Sequence, residues 1–409
     1  TDINRTLRSV PGINIQEEDG FGLRPNIGLR GTGVERSSKI TIMEDGVLMA
    51  PAPYADPAAY YFPTIGRMQG VEILKGSSQI KYGPFTTGGA INLISTQIPT
   101  EFSGRVNLIG GSYGGTNLHA FAGNSHKNIA YLVEGFQYGS QGFKQLDGGG
   151  KTGFDKRDYL AKFRVNTNPE AKTYQSLTFK IGKATETSHE TYLGLTEDDF
   201  QHDPYRRYAG SQKDLMETEQ SQLSATHFIN LSRSFHITTT VYRNDFSRNW
   251  YKVDNVTDSA GIKTSIGKVL EDPASYQEAY SILTGASSSN LNALAVRANN
   301  RSYYAEGIQS VLDFNFITND ISHDINIGLR YHKDEIDRFQ WDDLYAMNNG
   351  VMSLTTAGVP GTESNLVKSA KAFATYIQYR LKYGRFTVIP GIRYENISLL
   401  EKNYGKADP

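Results

Sequence analysis

After the first hundred residues, apolar and polar residues alternate one by one over long stretches of the chain. Leu177, Phe179 and Ile181 are separated by polar or small residues, and the same pattern recurs at 325–331 and 373–381. A period of two is typical of a β-strand with one apolar face and one polar face. The pattern predicts about eleven strands, at 103–110, 116–124, 129–139, 156–167, 173–183, 219–231, 235–247, 302–316, 321–333, 371–382 and 386–398.

The first hundred residues have a different texture. Short apolar runs are separated by Gly and Pro, and each run is typical of a short buried strand that ends in a turn. Asp2 is placed to cap a helix through Leu7, and Ser77 is placed to cap one through Ile80. These features predict a small α+β domain over residues 1–100.

The connections between the predicted strands alternate in length. Short turns lie at 125–128, 168–171, 232–234, 318–320 and 383–385. Long polar segments lie near 140–155, 184–218, 248–301 and 333–370, and only the connection at 111–115 breaks the rule. Outer-membrane β-barrels have short turns on the periplasmic side and long loops outside. The chain is therefore predicted to be mostly β, with residues 101–409 in a transmembrane antiparallel β-barrel.

The composition excludes several classes of protein. The 409 residues include no Cys, and 42 Lys or Arg stand against 43 Asp or Glu, for a net charge of -1. Without Cys there is no disulfide, thiolate metal site or catalytic thiol, and the charge argues against nucleic-acid binding. No apolar run approaches the roughly 20 residues of a transmembrane helix. A mean hydropathy of -0.46 agrees with a barrel in which every second strand residue faces lipid.

The first hundred residues contain six short motifs in a fixed order. They are VPGI at 10–13, NIGLRG at 26–31, IMEDGV at 42–47, VEILKG at 71–76, YGP at 82–84 and GGAIN at 88–92. In this order and spacing they resemble the plug domain of TonB-dependent outer-membrane receptors. The resemblance implies an N-terminal α+β plug domain inside the barrel. Because such plugged transporters have about 22 strands, about 300 further residues are expected to follow Pro409 and to complete the barrel. The resemblance also implies a TonB box before Thr1.

The resemblance also implies a function. The protein is expected to be an active transporter of the bacterial outer membrane and not an enzyme, with no catalytic residues, no metal site and no permanently bound cofactor. Its cargo is expected to be a ferric chelate, iron dicitrate-like or another siderophore. The TonB–ExbB–ExbD complex would supply energy. Outer-membrane lipid and lipopolysaccharide would surround a monomeric barrel, and no nucleic-acid partner is expected.

Within that family the likeness is greatest to the receptors for ferric dicitrate. It is carried by the plug segment 52–54 with Pro57 behind it, and by the segment 390–395. Two plug residues differ from the expected pattern, because Asp56 stands where we expect Gln and Lys39 where we expect Arg. A carboxylate such as that of Asp56 would repel an anionic chelate.

We expect the ligand site between the plug apices and the outer loops. Arginine suits a carboxylate ligand because the guanidinium fork can bind it bidentately. The candidate ligand-binding residues are Arg36, Lys39, Tyr54, Asp56, Tyr205, Arg206, Arg207 and Arg338. Arg243 and Arg248 are further cations near these loops, and Trp250 could enclose a chelate. The alternative for each is an ordinary place on a polar loop surface.

Charged residues among the apolar strands of the plug need partners if they are buried. We predict that Arg30 and Glu72 of the plug form a latch of ion pairs with Arg393 and Glu395 on the inward face of the barrel. The alternative is that these charges face water in the lumen.

Other functions stay open at this stage. Within transport, the cargo could be haem, cobalamin or a glycan. An outer-membrane barrel enzyme would have a compact barrel without a plug and a convergent set of Ser, His and Asp side chains at the rim. A soluble β-propeller would show an internal repeat, and the sequence has none that we find.

Overall fold

A computed structural model describes residues 3–407, apart from the side chains of Ser77 and Ser78. The expected cap Asp2 therefore lies outside the described residues, and so does the side chain of Ser77. Helix α1 (Ile3–Arg8) forms where the sequence predicts it. The second expected helix is a 3-10 turn, Gly76–Lys81.

The first part of the chain contains two small sheets. Strands β1 (Ile13–Gln16) and β2 (Asn26–Leu29) form an antiparallel pair. The second sheet consists of β3 (Ile40–Glu44), β4 (Val47–Leu48), β5 (Met68–Leu74) and β6 (Gly89–Ser95). Its order is β4-β3-β6-β5, with β3 and β6 parallel. Strand β3 is buried along its whole length, as is typical of a strand that is covered on both faces.

Long strands dominate the rest of the chain, with short elements between them. In chain order the strands are β7 (Ser103–Gly111), β8 (Gly115–His126), β9 (Ile129–Ser140), β10 (Gln145–Leu146), β11 (Phe154–Asn166), β12 (Tyr174–Ser188), β13 (Arg206–Arg207), β14 (Leu215–Ser232), β15 (Phe235–Thr257), β16 (Lys263–Ser265), β17 (Leu294–Thr318), β18 (Ile321–Asn348), β19 (Val351–Thr356), β20 (Ser364–Tyr383), β21 (Phe386–Val388) and β22 (Gly391–Asn403). The helices between them are α2 (Glu197–His202), α3 (Ile266–Glu271) and α4 (Gln277–Thr284).

The long strands form one antiparallel sheet in which consecutive long strands are neighbours, from β7 at one edge to β20 with β21 and β22 at the other. Each of the predicted strands overlaps one of them. The turn between β17 and β18 consists of Asn319 and Asp320, both with positive φ (48° and 66°). That conformation suits a two-residue hairpin turn, because it matches the twist of the strands.

Several strands are longer than the alternation predicts. The predicted strand 235–247 continues to Thr257, and the predicted strand 321–333 continues to Asn348. Parts of the segments predicted as loops are therefore strand. The physical reason is that the extensions lie beyond the apolar band, where polar residues occupy both faces and the alternation disappears.

The two faces of the sheet are the reverse of those in a soluble protein. Phe163, Ile181 and Leu223 are apolar and 44%, 60% and 56% exposed. Lys162 and Lys180 are charged and buried against the plug. Apolar residues outside and polar residues inside are typical of a membrane-spanning barrel wall around a filled lumen.

The long connections at one end of the sheet pack into a compact outer layer. A second apolar core lies here, and it includes Leu193, Tyr208, Val256, Val269, Leu283 and Met347. These side chains come from two different connections and from the outer ends of β15 and β18, so the outer loops pack against one another and against the strand ends. None of the helices in residues 3–407 has the length and apolar character needed to cross a membrane.

Candidate functional site

Three arginine side chains lie in a row across three neighbouring strands. Arg248 on β15 pairs in register with Arg301 on β17, and Arg301 pairs with Arg338 on β18. Adjacent strands are about 4.8 Å apart, so the three side chains start side by side. They lie on the face toward the plug, where the Arg248 guanidinium carbon is 3.8 Å from the centre of the Tyr60 ring. We call Arg248, Arg301 and Arg338 the arginine row.

In the arginine row Arg248 and Arg301 are buried and Arg338 is half-buried, and all three are incompletely hydrogen-bonded. Arg248 is 2% exposed and Arg301 9% exposed. Within residues 3–407, Nε and Nη1 of Arg248 and the Nε atoms of Arg301 and Arg338 have no hydrogen-bond partner. A buried donor without an acceptor costs about 1–3 kcal/mol, and more when it is charged. Three such cations side by side repel one another. The arrangement therefore favours an anion with several oxygen atoms.

The plug residue Tyr60 lies at the centre of this site. Its ring centroid is 3.8 Å from the guanidinium carbon of Arg248, 5.1 Å from that of Arg36 and 5.5 Å from that of Arg301. Trp250 meets Tyr60 edge-on, with 6.4 Å between ring centroids, and lies 5.1 Å from Arg36. Cations over aromatic faces are stabilised electrostatically, which helps to hold the guanidinium groups here.

Two plug carboxylates belong to the site, in different ways. Glu18 is bound to Arg36, whose Nη2 is 2.7 Å from Oε1. Burial would raise the pKa of Glu18, but the hydrogen bond and charge of Arg36 hold it below its usual value. Asp56 is 3.7 Å from Arg301 (Oδ2 to Nη1), and this is the only ion pair among the described residues that includes the arginine row. The site keeps an excess of positive charge.

The structure brings several of the predicted ligand residues together. Arg36, Asp56 and Arg338 lie around Tyr60, and the charges of Asp56 and Arg301 act on Arg338. The further cation Arg248 belongs to the same site. Trp250 lies there too, and its Nε1 has no partner within the described part of the chain.

Tyr54, also predicted to bind the ligand, contacts the barrel wall. It is 4% exposed, its backbone N–H donates to Asp334 at 2.8 Å, and its hydroxyl donates to Glu395 at 3.3 Å. Both partners lie on barrel strands. Tyr54 therefore fixes the plug loop to the barrel wall, directly beside Asp56.

Arg206 and Arg207 join outer loops to one another and are not brought to the arginine row. Arg206 lies 3.0 Å from Asp147 and 2.9 Å from Asp199, so two carboxylates already neutralise it. Arg207 donates to the carbonyl of Pro204 at 2.9 Å. Sequence patterns place both near the outer surface but do not show that Arg206 is paired with Asp147 and Asp199, or that Arg207 bonds to a carbonyl of its own loop.

Three other candidates also lie apart from the arginine row. Tyr205 is 49% exposed and meets Phe143 edge-on. Lys39 is exposed and takes part in none of the ion pairs found within residues 3–407. Arg243 lies on the opposite face of β15 from Arg248, where it is paired with Asp245 and Glu306.

Sequence reasoning missed Arg301 and Tyr60. The hairpin turn contained a signal for Arg301, because Arg301 lies as many residues before Asn319 as Arg338 lies after Asp320. The two antiparallel strands that this turn joins therefore pair Arg301 with Arg338. The length of β17 hid it, since Arg301 lies just before the predicted start of that strand. No local pattern distinguishes Tyr60 from the other 24 of the 25 tyrosines.

The predicted latch requires correction. Arg30 and Glu72 are exposed, and neither forms an ion pair within the described part of the chain; Glu72 accepts a hydrogen bond from Asn92 at 2.8 Å instead. Glu72 is exposed because β5 is an edge strand of its sheet. Arg393 and Glu395 pair with each other on the wall. Both still contact the plug: Glu395 accepts a hydrogen bond from the hydroxyl of Tyr54, and Arg393 donates to the carbonyl of Lys81 at 3.4 Å.

Other residues form buried ion pairs between plug and wall. Arg67 of the plug binds Glu44 of the plug at 2.7 Å and Asp158 of the wall at 2.8 Å. Lys180 of the wall lies 2.6 Å from Glu44 and 2.8 Å from Asp45. We call these five residues the buried ion cluster, because all of them except Asp45 are buried. Burial alone would raise the pKa of Glu44, but Arg67 and Lys180 lower it to about 2.

Comparison with known proteins agrees with this architecture. Residues 1–90 match the family described as TonB-dependent Receptor Plug Domain. The predicted fold is confirmed: the chain is mostly β, with a plug domain and part of a large antiparallel barrel wall, as in TonB-dependent receptors.

Three solved structures illustrate the likeness. The ferric citrate transporter FecA in its unliganded form has a TM-score of 0.72 and 16% identity, and the match covers 98% of this chain and 54% of that one. The siderophore receptor PiuA from Acinetobacter baumannii has a TM-score of 0.70 and 14% identity, and the match covers 100% of this chain and 57% of that one. The ferric-catecholate import receptor Fiu from E. coli K12 has a TM-score of 0.68 and 15% identity, and the match covers 98% of this chain and 58% of that one. The chain thus spans a little over half the length of these structures.

Proposed function

We propose that this protein is a TonB-dependent receptor of the bacterial outer membrane that imports an anionic ferric chelate, iron dicitrate-like or another carboxylate-bearing siderophore, into the periplasm. The observation that carries the proposal is the arginine row, with its buried and unpartnered N–H groups beside Tyr60. Guanidinium groups bind carboxylates through two parallel hydrogen bonds, which gives both charge neutralisation and orientation. FecA, which shares the fold, is a ferric citrate transporter.

Import requires movement of the plug, because the plug lies against the inner face of the wall below the arginine row. Ion pairs and hydrogen bonds hold the plug there, and the buried ion cluster includes several of these ion pairs. No covalent chemistry is needed for this cycle, so the function is transport and not catalysis. We assign the energy source to a TonB–ExbB–ExbD complex on the periplasmic side. The chelate is cargo and not a resident cofactor, and a monomer surrounded by lipid and lipopolysaccharide is the working form.

A binding experiment tests this proposal. Purified protein in detergent is titrated with ferric citrate, and tryptophan quenching is followed, since Trp250 lies in the site. Arg248→Met and Arg301→Met remove a charge and keep an apolar stem. Each should weaken binding at least tenfold, because charged partners in a buried site contribute about 2 kcal/mol or more.

Arg243→Met is the matched control, because Arg243 lies on the same strand but on the outer face. It should leave the affinity within about twofold of the original, as expected for an exposed ion pair. The same titrations are made with other ferric siderophores, haem and cobalamin. Binding of haem or cobalamin alone would contradict the proposed cargo.

A further inference from the structure

Asp56 reaches the arginine row from a loop that is tightly fixed at its other residues. Its backbone N–H donates to the carbonyl of Ala52 at 2.9 Å, which closes the loop. The next two residues back, Tyr54 and Ala55, donate their N–H groups to the two carboxylate oxygens of Asp334 at 2.8 and 2.9 Å. Asp334 is fully buried on the wall. The loop backbone is thus clamped, and the side chain of Asp56 extends from it to within 3.7 Å of Arg301.

The contact between Asp56 and Arg301 is loose. At 3.7 Å it exceeds the length of a hydrogen bond, and the Asp56 side chain is 26% exposed while that of Arg301 is 10% exposed. This contact leaves the Nε atom of Arg301 and the other unpartnered N–H groups of the arginine row unsatisfied. A carboxylate that approaches from the outer side could therefore form shorter, bidentate bonds with Arg301.

We propose that Asp56 is a tethered competitor of the ligand: it partly neutralises the arginine row when no chelate is bound, and a carboxylate of the chelate displaces it from Arg301. This inference rests on the proposed function. Asp56 then selects for ligands that carry enough carboxylate groups to replace it, and a ferric chelate without free carboxylates cannot do so. A short tether gives such a competitor a high effective concentration.

Displacement also links the ligand site to the plug. Once released from Arg301, Asp56 is held only by the loop that Asp334 clamps, and Tyr54 in this loop contacts Glu395 of the wall. Occupancy of the row thus changes the contacts of one plug loop while the buried ion cluster stays intact.

The experiment is a double-mutant cycle on ferric citrate binding by the purified protein. Asp56→Asn should tighten binding on the order of tenfold, equivalent to about 1.4 kcal/mol. Glu35→Gln removes one negative charge from an exposed plug position near Arg36 and should change affinity less than twofold. In the Arg301→Met background the gain from Asp56→Asn should largely vanish, because the contact that Asp56 competes for is gone.

Three results would overturn the inference. Asp56→Asn could leave affinity unchanged or weaken it, or it could tighten binding equally with Met at position 301, which would show general repulsion without competition. A gain of the same size for a neutral ferric trihydroxamate would also contradict it. In each case ferric citrate still binds the original protein and the proposed function survives. If ferric citrate and other anionic ferric chelates fail to bind the original protein and all variants, the proposed function fails as well.

Discussion

Arg67 and Arg248 are both buried guanidinium groups, yet their surroundings are opposite. Arg67 is 1% exposed, and its three nitrogens bind the carboxylates of Glu44 and Asp158. Arg248 is 2% exposed and has two nitrogens without a partner in the described structure. Burying a charge is tolerated only with partners. The charge of Arg67 is therefore matched within the fold, whereas the unpartnered nitrogens of Arg248 are available for a ligand.

Glu44 allows a pH prediction for the buried ion cluster. Its pKa is about 2 in the folded protein, against an ordinary value of 4.5. Because its pKa is lower in the folded protein than in the unfolded chain, ionised Glu44 stabilises the fold at pH values above 4.5. This contribution is lost as the pH falls from 4.5 through 2. The loss should reach on the order of 3 kcal/mol.

Urea unfolding between pH 6 and pH 2 measures this effect. Glu44→Gln should be less stable at pH 6 and should lack the acid-dependent decrease that Glu44 causes. Glu35→Gln, at an exposed position of the plug, should retain the full decrease. An identical pH profile for Glu44→Gln and the original protein would show that Glu44 is not the titrating group.

At the scale of elements, the long strands were predictable and their outer ends were not. Alternation located β15, β17 and β18 because one face of each meets lipid and must be apolar. The same strands continue outward where neither face meets lipid, and there the sequence has no period. Arg301 lies just before the predicted start of β17, so the row could not be assembled from periodicity alone. The roles of Arg206 and Asp56 depended on contacts between segments far apart in sequence.

The outer layer contains a buried acid that should respond to pH. Asp214, just before β14, accepts hydrogen bonds from the N–H groups of Tyr192 at 3.0 Å and Val253 at 3.4 Å. Burial raises its pKa from 3.8 to about 7. Because the raised pKa keeps this carboxyl group protonated in the folded layer, its contribution to the stability of the layer is greatest below pH 3.8. That contribution declines as the pH rises from 3.8 through 7.

We therefore expect the amides of Tyr192 and Val253 to exchange with solvent more readily, after correction for intrinsic rates, at pH 8 than at pH 6. Asp214→Asn cannot ionise and should reduce this difference severalfold. Asp198→Asn, an exposed position in α2, should leave it unchanged. Equal pH sensitivity in all three proteins would rule out Asp214 as the cause.

For the whole molecule, two electrostatic systems lie at different depths and should respond differently to salt. The arginine row has an excess of positive charge and unpartnered N–H groups among the described residues, whereas the cations and carboxylates of the buried ion cluster pair with one another, and only Asp45 of that cluster is exposed. Salt screens charges across water, with a Debye length of about 10 Å at 0.1 M and about 3 Å at 1 M, but acts weakly on buried pairs.

Between 0.05 and 1 M NaCl, association of ferric citrate should therefore slow on the order of tenfold or more, because steering by the arginine row is screened. Stopped-flow quenching of Trp250 measures this rate, and a neutral ferric trihydroxamate should show little dependence on salt. Hydrogen exchange of the amides in β3 and β6 reports whether the plug stays in place, and it should change less than twofold over the same range. Faster exchange at high salt would mean that screened surface charges, and not the cluster around Arg67 and Glu44, hold the plug in the wall.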